Sequence, residues 1–227
     1  MRILAVETAT LSGSAALLEG GQVIGETTLD ISVTHSERLM AMIDRLLQEC
    51  GRAVEKMDAL AVSIGPGSFT GLRVGIATVK GLALTLGLPV APVPTLDSLA
   101  HNLPFADAAV CPLLDARKGE VYCAVYRWQT DRMERQSDYL ALPPRMAAER
   151  LTPPTIVIGD GVPACLPFLS HLGDGLRVAP ASHNSPSAAV VGLLGSALIA
   201  SGHAVAGDSL RPLYLRPSEA EIKARRA

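Results

Sequence analysis

The run Gly65-Pro66-Gly67-Ser68-Phe69-Thr70-Gly71-Leu72-Arg73-Val74-Gly75 puts glycines and hydroxyls where an apolar segment ends and a helix-like one begins. Glycine lets the backbone turn with positive φ and lets a ligand come close. The first N–H groups of a helix have no internal partner and carry partial positive charge. The segment is therefore a candidate phosphate cradle. It reads equally as a tight strand-to-helix turn with Ser68 or Thr70 as the helix cap. Two familiar phosphate signatures fail here. No lysine follows either glycine, as Gly-x4-Gly-Lys-Ser/Thr requires, and the third glycine of the dinucleotide pattern would fall on Thr70. Arg73 is the only charge near the loop, one turn into the expected helix, where it can meet an anion, a carboxylate or solvent.

Other reactive side chains form no local constellation. His35, His101, His171, His183 and His203 include no His-x-x-x-His or His-Glu-x-x-His pair, so no metal site is readable from spacing. Cys50, Cys111, Cys123 and Cys165 include no Cys-x-x-Cys pair, and three of them sit in apolar segments where a reduced thiol acts as a small hydrophobe. Asp115, Arg117, Lys118 and Glu120 are mixed charges at a hairpin tip, a pattern of mutual pairing in solvent rather than acid–base chemistry. Gly159-Asp160-Gly161 forms a second glycine turn. It could approach a nucleoside or serve as a plain turn.

The elements that must position these groups are legible from periodicity. Arg2 to Glu7, Gly13 to Leu18 and Gln22 to Asp30 read as an antiparallel meander, with reversals at a Thr/Ser/Gly turn and at Gly20-Gly21. From His35 to Gly51, Leu39, Met40, Ile43, Leu46 and Leu47 recur at helical spacing. Asp58 to Ile64 is a strand, Leu72 to Leu86 a helix, Pro89 to Val93 a strand, and Thr95 to Leu103 a short helix with Thr95 as its cap. Strand–helix alternation of this kind predicts parallel pairing in a covered sheet. The helix from Leu72 carries only Arg73 and Lys80 as charges, so most of its sides need cover, from the sheet, from the His35 helix or from another protein.

Pro104 breaks the pattern, and the domain boundary is expected there, giving units 1–103 and 104–227, with the last helix able to pack back on the first unit. Val110 to Leu114 and Val121 to Trp128 predict a hairpin, Tyr139 to Leu142 and Thr155 to Ile158 further strands, and Val162 to Leu169 a helix. At 227 residues, 48% hydrophobic and 19% charged, with net charge −2 and pI near 6.2, the chain reads as a globule with no global attraction for nucleic acid. The N-terminus meets Glu7 after four apolar residues, too few for a signal-peptide core. The apolar stretch Ser185 to Ala200, punctuated by Gly192 and Gly195, falls short of the ~20 residues of a membrane helix. A cytoplasmic protein without a membrane association is expected.

A meander, a helix, a strand with glycine loop and helix, and a second half with similar parts resemble the duplicated actin, Hsp70 and sugar-kinase (ASKHA) architecture. That is an α/β, ribonuclease H-like fold of two lobes with mixed sheets flanked by helices. More narrowly, the chain resembles the bacterial TsaB (YeaZ) family in Ile3 to Thr10, His35-Ser36-Glu37, Gly65 to Gly75, Asp115-Ala116-Arg117 with Glu120-Val121-Tyr122, and Pro212 to Arg216. The resemblance implies a noncatalytic paralogue of TsaD, the metal-bearing subunit that transfers threonylcarbamoyl from threonylcarbamoyl-AMP to the tRNA adenosine beside the anticodon. It also implies work with the ATPase TsaE, contact with tRNA through the complex, and a homodimer when alone.

TsaD-like proteins take two metal ligands from a His-x-x-x-His pair, whereas here Leu39 stands four residues after His35. The family's frequent Asp-Thr-Ser reads Glu7-Thr8-Ala9. With no bound metal or cofactor expected, Thr8, Ala9, Thr10, Gly65, Pro66, Gly67, Ser68, Phe69, Thr70 and Gly71 form a degenerate phosphate loop retaining at most weak nucleotide binding. The expected partner face is His35, Arg38, Leu39, Met42 and Leu46 on one helix with Arg73, Val74, Ala77 and Thr78 on the other. Two other functions stay open: an ATP-dependent phosphotransferase of sugar-kinase type, with no evident magnesium-holding acid and base, and a glycoprotease-like peptidase, with neither zinc motif nor Gly-x-Ser-x-Gly elbow.

Overall fold

A computed structural model describes residues 1–30 and 35–216. The first sheet contains β1 (Arg2–Glu7), β2 (Ser12–Glu19), β3 (Gln22–Asp30), β4 (Ala59–Gly65) and β5 (Val90–Pro94) in the order β3-β2-β1-β4-β5. Helices α1 (His35–Glu49), α2 (Phe69–Leu86) and α3 (Thr95–Ala100) alternate with these strands. The meander pairs antiparallel, and β4 and β5 add in parallel beyond β1. Alternation along β1 and β4 sends Leu4, Val6, Leu60 and Val62 to a core shared with α1 and α2, and Ile3, Ala5, Ala59 and Ala61 to the opposite face. The small residues of that second face admit a close helix.

That helix comes from far along the chain. The second sheet holds β6 (Ala109–Arg117), β7 (Glu120–Cys123), β8 (Tyr126–Gln129), β9 (Arg132–Arg135), β10 (Leu140–Leu142), β11 (Thr155–Ile158) and β12 (Leu176–Val178), with α4 (Pro144–Ala148) and α5 (Val162–Cys165) between strands. After it, α6 (Ala188–Ala200) returns to the first sheet and packs on β1, β2, β4 and β5. Gly195 makes the approach possible, since a Cβ there would stand 2.6 Å from that of Ala61. The second sheet runs β10-β7-β6-β11-β12, with β8 and β9 as a ribbon branching from β6. In strand direction this repeats the first sheet: an antiparallel pair, a central strand, then two parallel strands. The two-lobed α/β architecture with mixed sheets follows from that repetition.

Most expected elements lie within a few residues of their predicted positions, and the departures have local reasons. α2 begins at Phe69, three residues before Leu72, because the Ser68 hydroxyl caps it by accepting from the Gly71 N–H at 3.3 Å. Thr95 is no cap: Pro94 holds that position, and the Thr95 hydroxyl is buried without a hydrogen-bond partner. The expected strand from Val121 to Trp128 is two strands, and the helix from Val162 ends at Cys165 before a 3-10 turn at Leu166–Phe168. Leu96, Leu99 and Ala100 of α3 join Val110, Leu114, Tyr126 and Ile158 in a core of the second sheet. Cys111, Cys123 and Cys165 are free and buried together, and burial raises all three thiols, Cys123 and Cys165 to about 11.

α2 is the one described helix long and apolar enough to cross a membrane. Its packing on β4 and the burial of Leu72, Ile76, Val79 and Ala83 give that composition a different cause.

Candidate functional site

The turn after β1 rests directly on the start of α2. Thr8 Oγ1 donates to the Gly71 carbonyl at 2.9 Å, and the Ser68 N–H donates to the Ala9 carbonyl at 2.7 Å. A Cβ on Gly67 would stand 2.8 Å from Ala9 Cβ and overlap the Ala9 carbonyl. One on Gly71 would overlap the Thr8 carbonyl, and one on Gly75 the Thr8 hydroxyl. Gly71 and Gly75 are four apart, so they face the turn along one side of the helix. The glycines of the candidate cradle thus accommodate the chain's own backbone. Two of the donors at this helix start, the N–H groups of Ser68 and Gly71, already have protein partners.

Glu7 ends β1 under this turn and is fully buried. One carboxylate oxygen accepts from the Ala9 N–H, and the other, Oε2, has no hydrogen-bond partner. Burial pushes its pKa up to about 7, and the Ser63 hydroxyl and the N–H groups of Ala9 and Thr8 only partly offset that. The Ser63 hydroxyl also lacks a partner within hydrogen-bond geometry, so its help is electrostatic. The carboxyl therefore belongs to the protein interior.

Between the lobes lies a cleft of about 540 Å³. Ala9, Thr10, Ser68, Thr70 and Arg73 line one wall, Asp115, Arg117 and Asp160 the other, and Tyr214 and Arg216 close the rim. The second wall repeats the construction of the first. The Gly161 N–H donates to the Leu113 carbonyl at 2.9 Å, and a Cβ on Gly161 would lie 2.9 Å from the Leu114 carbonyl carbon. Asp160 Oδ1 accepts from the Asp115 N–H at 2.9 Å. Asp160 is exposed as a residue, yet the surrounding protein raises its pKa, with the Asp115 N–H and the Arg117 charge opposing. Arg117 pairs with Asp115 at 3.2 Å, and Arg216 with Glu120 at 2.6 Å. Arg73 lies over the Phe69 ring at 3.8 Å, and its Nε donates to the Tyr214 hydroxyl at 3.4 Å. Among the described residues, no group of three or more His, Cys, Asp or Glu side chains could hold a metal ion.

The expected partner face divides. Arg38, Arg73 and Ala77 are exposed, and Val74 and Thr78 are half-buried. The side chain of His35 lies outside the described residues. Leu39, Met42 and Leu46 need correction: they are 1%, 4% and 3% exposed and sit in the core with Leu4, Leu17 and Val79. The apolar stripe of Leu39, Met42, Ile43, Leu46 and Leu47 on α1 is committed to the chain's own core, whereas Met40, grouped with it by spacing, is exposed. Removing a buried leucine from this contact would forfeit about 1.5–3 kcal/mol, too much for a surface kept open. α2 behaves otherwise. Past its buried stripe it presents Arg73, Ala77, Gly81 and Leu84 to solvent, with Leu84 65% exposed. Leu84 escaped sequence reasoning because helical spacing does not separate an outer apolar residue from a core one.

The model of the family described as TsaD, tRNA N6-adenosine threonylcarbamoyltransferase, matches residues 27–158. The tRNA threonylcarbamoyladenosine biosynthesis protein TsaB of Bacillus subtilis is 31% identical over 228 residues, covering 98% of this chain and 97% of that protein. The protein of the same name from Escherichia coli K12 is 34% identical over 231 residues, covering 95% of each. Among solved structures, YeaZ from Pseudomonas aeruginosa superposes with a TM-score of 0.79 at 31% identity, covering 94% of this chain and 99% of that one.

Proposed function

The chain belongs to the TsaB family, and from that premise we propose that it serves threonylcarbamoyladenosine formation on tRNA as a noncatalytic subunit docking a TsaD-type catalytic partner. The observation that carries the docking role is the outer side of α2. There a long, nearly uncharged helix leaves Ala77, Gly81 and Leu84 exposed instead of presenting the charged residues usual on such a face. Arg73 adds an exposed positive charge to this side of α2, and Arg38 of α1 is exposed as well.

Several features favour a supporting over a catalytic role. Leu39 stands where a second metal-binding imidazole would be needed, and its side chain is in the core. Glu7 is turned into the interior, and the glycines of the loop are filled by the Thr8–Ala9 backbone. This favours a subunit that binds no cofactor of its own or binds nucleotide only weakly. The same reading includes a TsaE-type ATPase in the cycle, tRNA contacted through the assembly, a homodimer in the partner's absence, and the cytoplasm as its place.

The test is reconstitution. The chain is purified with TsaD-type and TsaE-type proteins and tRNA modification is measured with and without it. Modification should fall sharply when it is left out, and equal modification in its absence overturns the proposal. The cleft keeps the phosphotransferase reading worth one measurement: calorimetry of the isolated chain with ATP and magnesium, where tight binding would favour it.

A further inference from the structure

The segment from Pro212 to Arg216 touches both lobes within five residues. On the first lobe, the Leu213 N–H donates to the Ile64 carbonyl at 2.7 Å, and the Leu213 carbonyl oxygen lies 2.6 Å from where a Cβ on Gly65 would be. The Tyr214 ring stacks on Phe69 with centroids 5.3 Å apart, and its hydroxyl accepts from Arg73 Nε at 3.4 Å. On the second lobe, Arg216 Nη1 meets Glu120 Oε2 at 2.6 Å. That contact falls outside hydrogen-bond angles, so it is an ion pair held by charge. Its side chains are only 28% and 30% exposed, which limits screening by solvent.

Among the described residues the main chain otherwise passes between the sheets twice, through α3 into β6 and from β12 into α6. Two passages leave a line about which the lobes can rock, and hinge closure about such a line is a common way for two-lobed proteins to enclose ligands. A third tie at the cleft rim removes that freedom. We propose that Pro212–Arg216 is a strap that holds the two lobes at one opening, so that the cleft width is set by the chain's own tail and not by a bound ligand. The strap uses backbone pairing at one end and a single charge pair at the other. The charge pair is the end that can be released without unfolding.

The experiment uses the full chain with nitroxide labels at Glu55→Cys on the first lobe and Asp131→Cys on the second, in a Cys50→Ser background, with distances read by pulsed electron resonance. The native tail should give one narrow distance. Tyr214→Ala with Arg216→Ala should lose that single narrow peak. Arg216→Glu alone should lose it too, and adding Glu120→Arg to that variant should restore it. An unchanged peak in the double alanine variant, or no restoration by the charge exchange, overturns the strap. No partner protein takes part, so the outcome is independent of whether the chain docks a TsaD-type subunit.

Discussion

Thr8 and Gly71 are bound to each other in both directions of contact: the threonine hydroxyl donates to the glycine carbonyl at 2.9 Å, while the threonine carbonyl fills the space a side chain at 71 would require. The pair fixes the β1 turn on the first turns of α2 and so defines one wall of the cleft.

Replacing this glycine should therefore destabilise the protein against ordinary helix propensity. Gly71→Ala and Gly75→Ala are expected to cost about 1–3 kcal/mol, because the new methyl meets backbone or a bonded hydroxyl. Gly81→Ala lies in the same helix with nothing within 4 Å of its Cβ, and should stabilise by about 0.5–1 kcal/mol. Urea denaturation of the three variants reads the signs. A common sign for all three would contradict the packing account.

Glu7 should make stability fall as pH rises through neutrality. Its folded pKa of about 7 stands above the ordinary 4.5, so between these values the folded chain holds a proton the unfolded chain has released. The contribution is complete below the lower value and is lost on passing the upper one. The shift corresponds to at most about 3 kcal/mol. Glu7→Gln should flatten the decline seen in chemical denaturation between acid and mildly alkaline pH. An equal slope in variant and native protein would remove Glu7 as its source.

Asp97 holds two phenols at one oxygen, Tyr126 at 2.6 Å and Tyr139 at 2.7 Å, linking α3 to the second sheet. Asp97→Ala strands the buried Tyr126 hydroxyl and should cost about 2 kcal/mol or more, whereas Tyr139→Phe leaves that bond in place and should cost about 1 kcal/mol. Thermal melts of the two variants should rank in that order.

On the outer face of α2, Leu84→Glu should leave stability within about 0.5 kcal/mol of native, as for an exposed site, and reduce co-elution with a TsaD-type partner in size-exclusion chromatography. Leu39→Glu should instead prevent folding, since its side chain is 1% exposed in the core. Undiminished co-elution of Leu84→Glu would remove this stretch of helix from the docking surface.

Much of the fold was legible because periodicity is a local property. The β1–β2–β3 meander, α1, β4, α2 and β5 each announce themselves by apolar spacing and by turn residues. β9 did not: in Arg132–Arg135 only Met133 is apolar, and its ribbon with β8 is held by backbone pairing and by Met133 packing in the core that includes Tyr126, while the charges of Arg132 and Glu134 pair within β9 itself. The candidate site was legible in its residues but not in their purpose. Spacing marked Gly67 and Gly71 as places where something comes close, but what comes close is Thr8 and Ala9, some sixty positions away in the chain. Leu39 and Leu84 show the same limit, because two apolar helix residues differ only in what the rest of the chain leaves uncovered. Tyr214 and Arg216 belong to the cleft through contacts that no local pattern encodes.

The two glycine turns, one leaning on Thr8 and Ala9 and the other on Leu113 and Leu114, have a consequence for how descent is read. In any lineage keeping this fold, substitution at these positions is opposed by the chain's own carbonyls, whether or not a nucleotide has ever bound there. Invariance at Gly71 or Gly161 is then a record of self-contact. A subunit that had lost every ligand would go on displaying the signature of one.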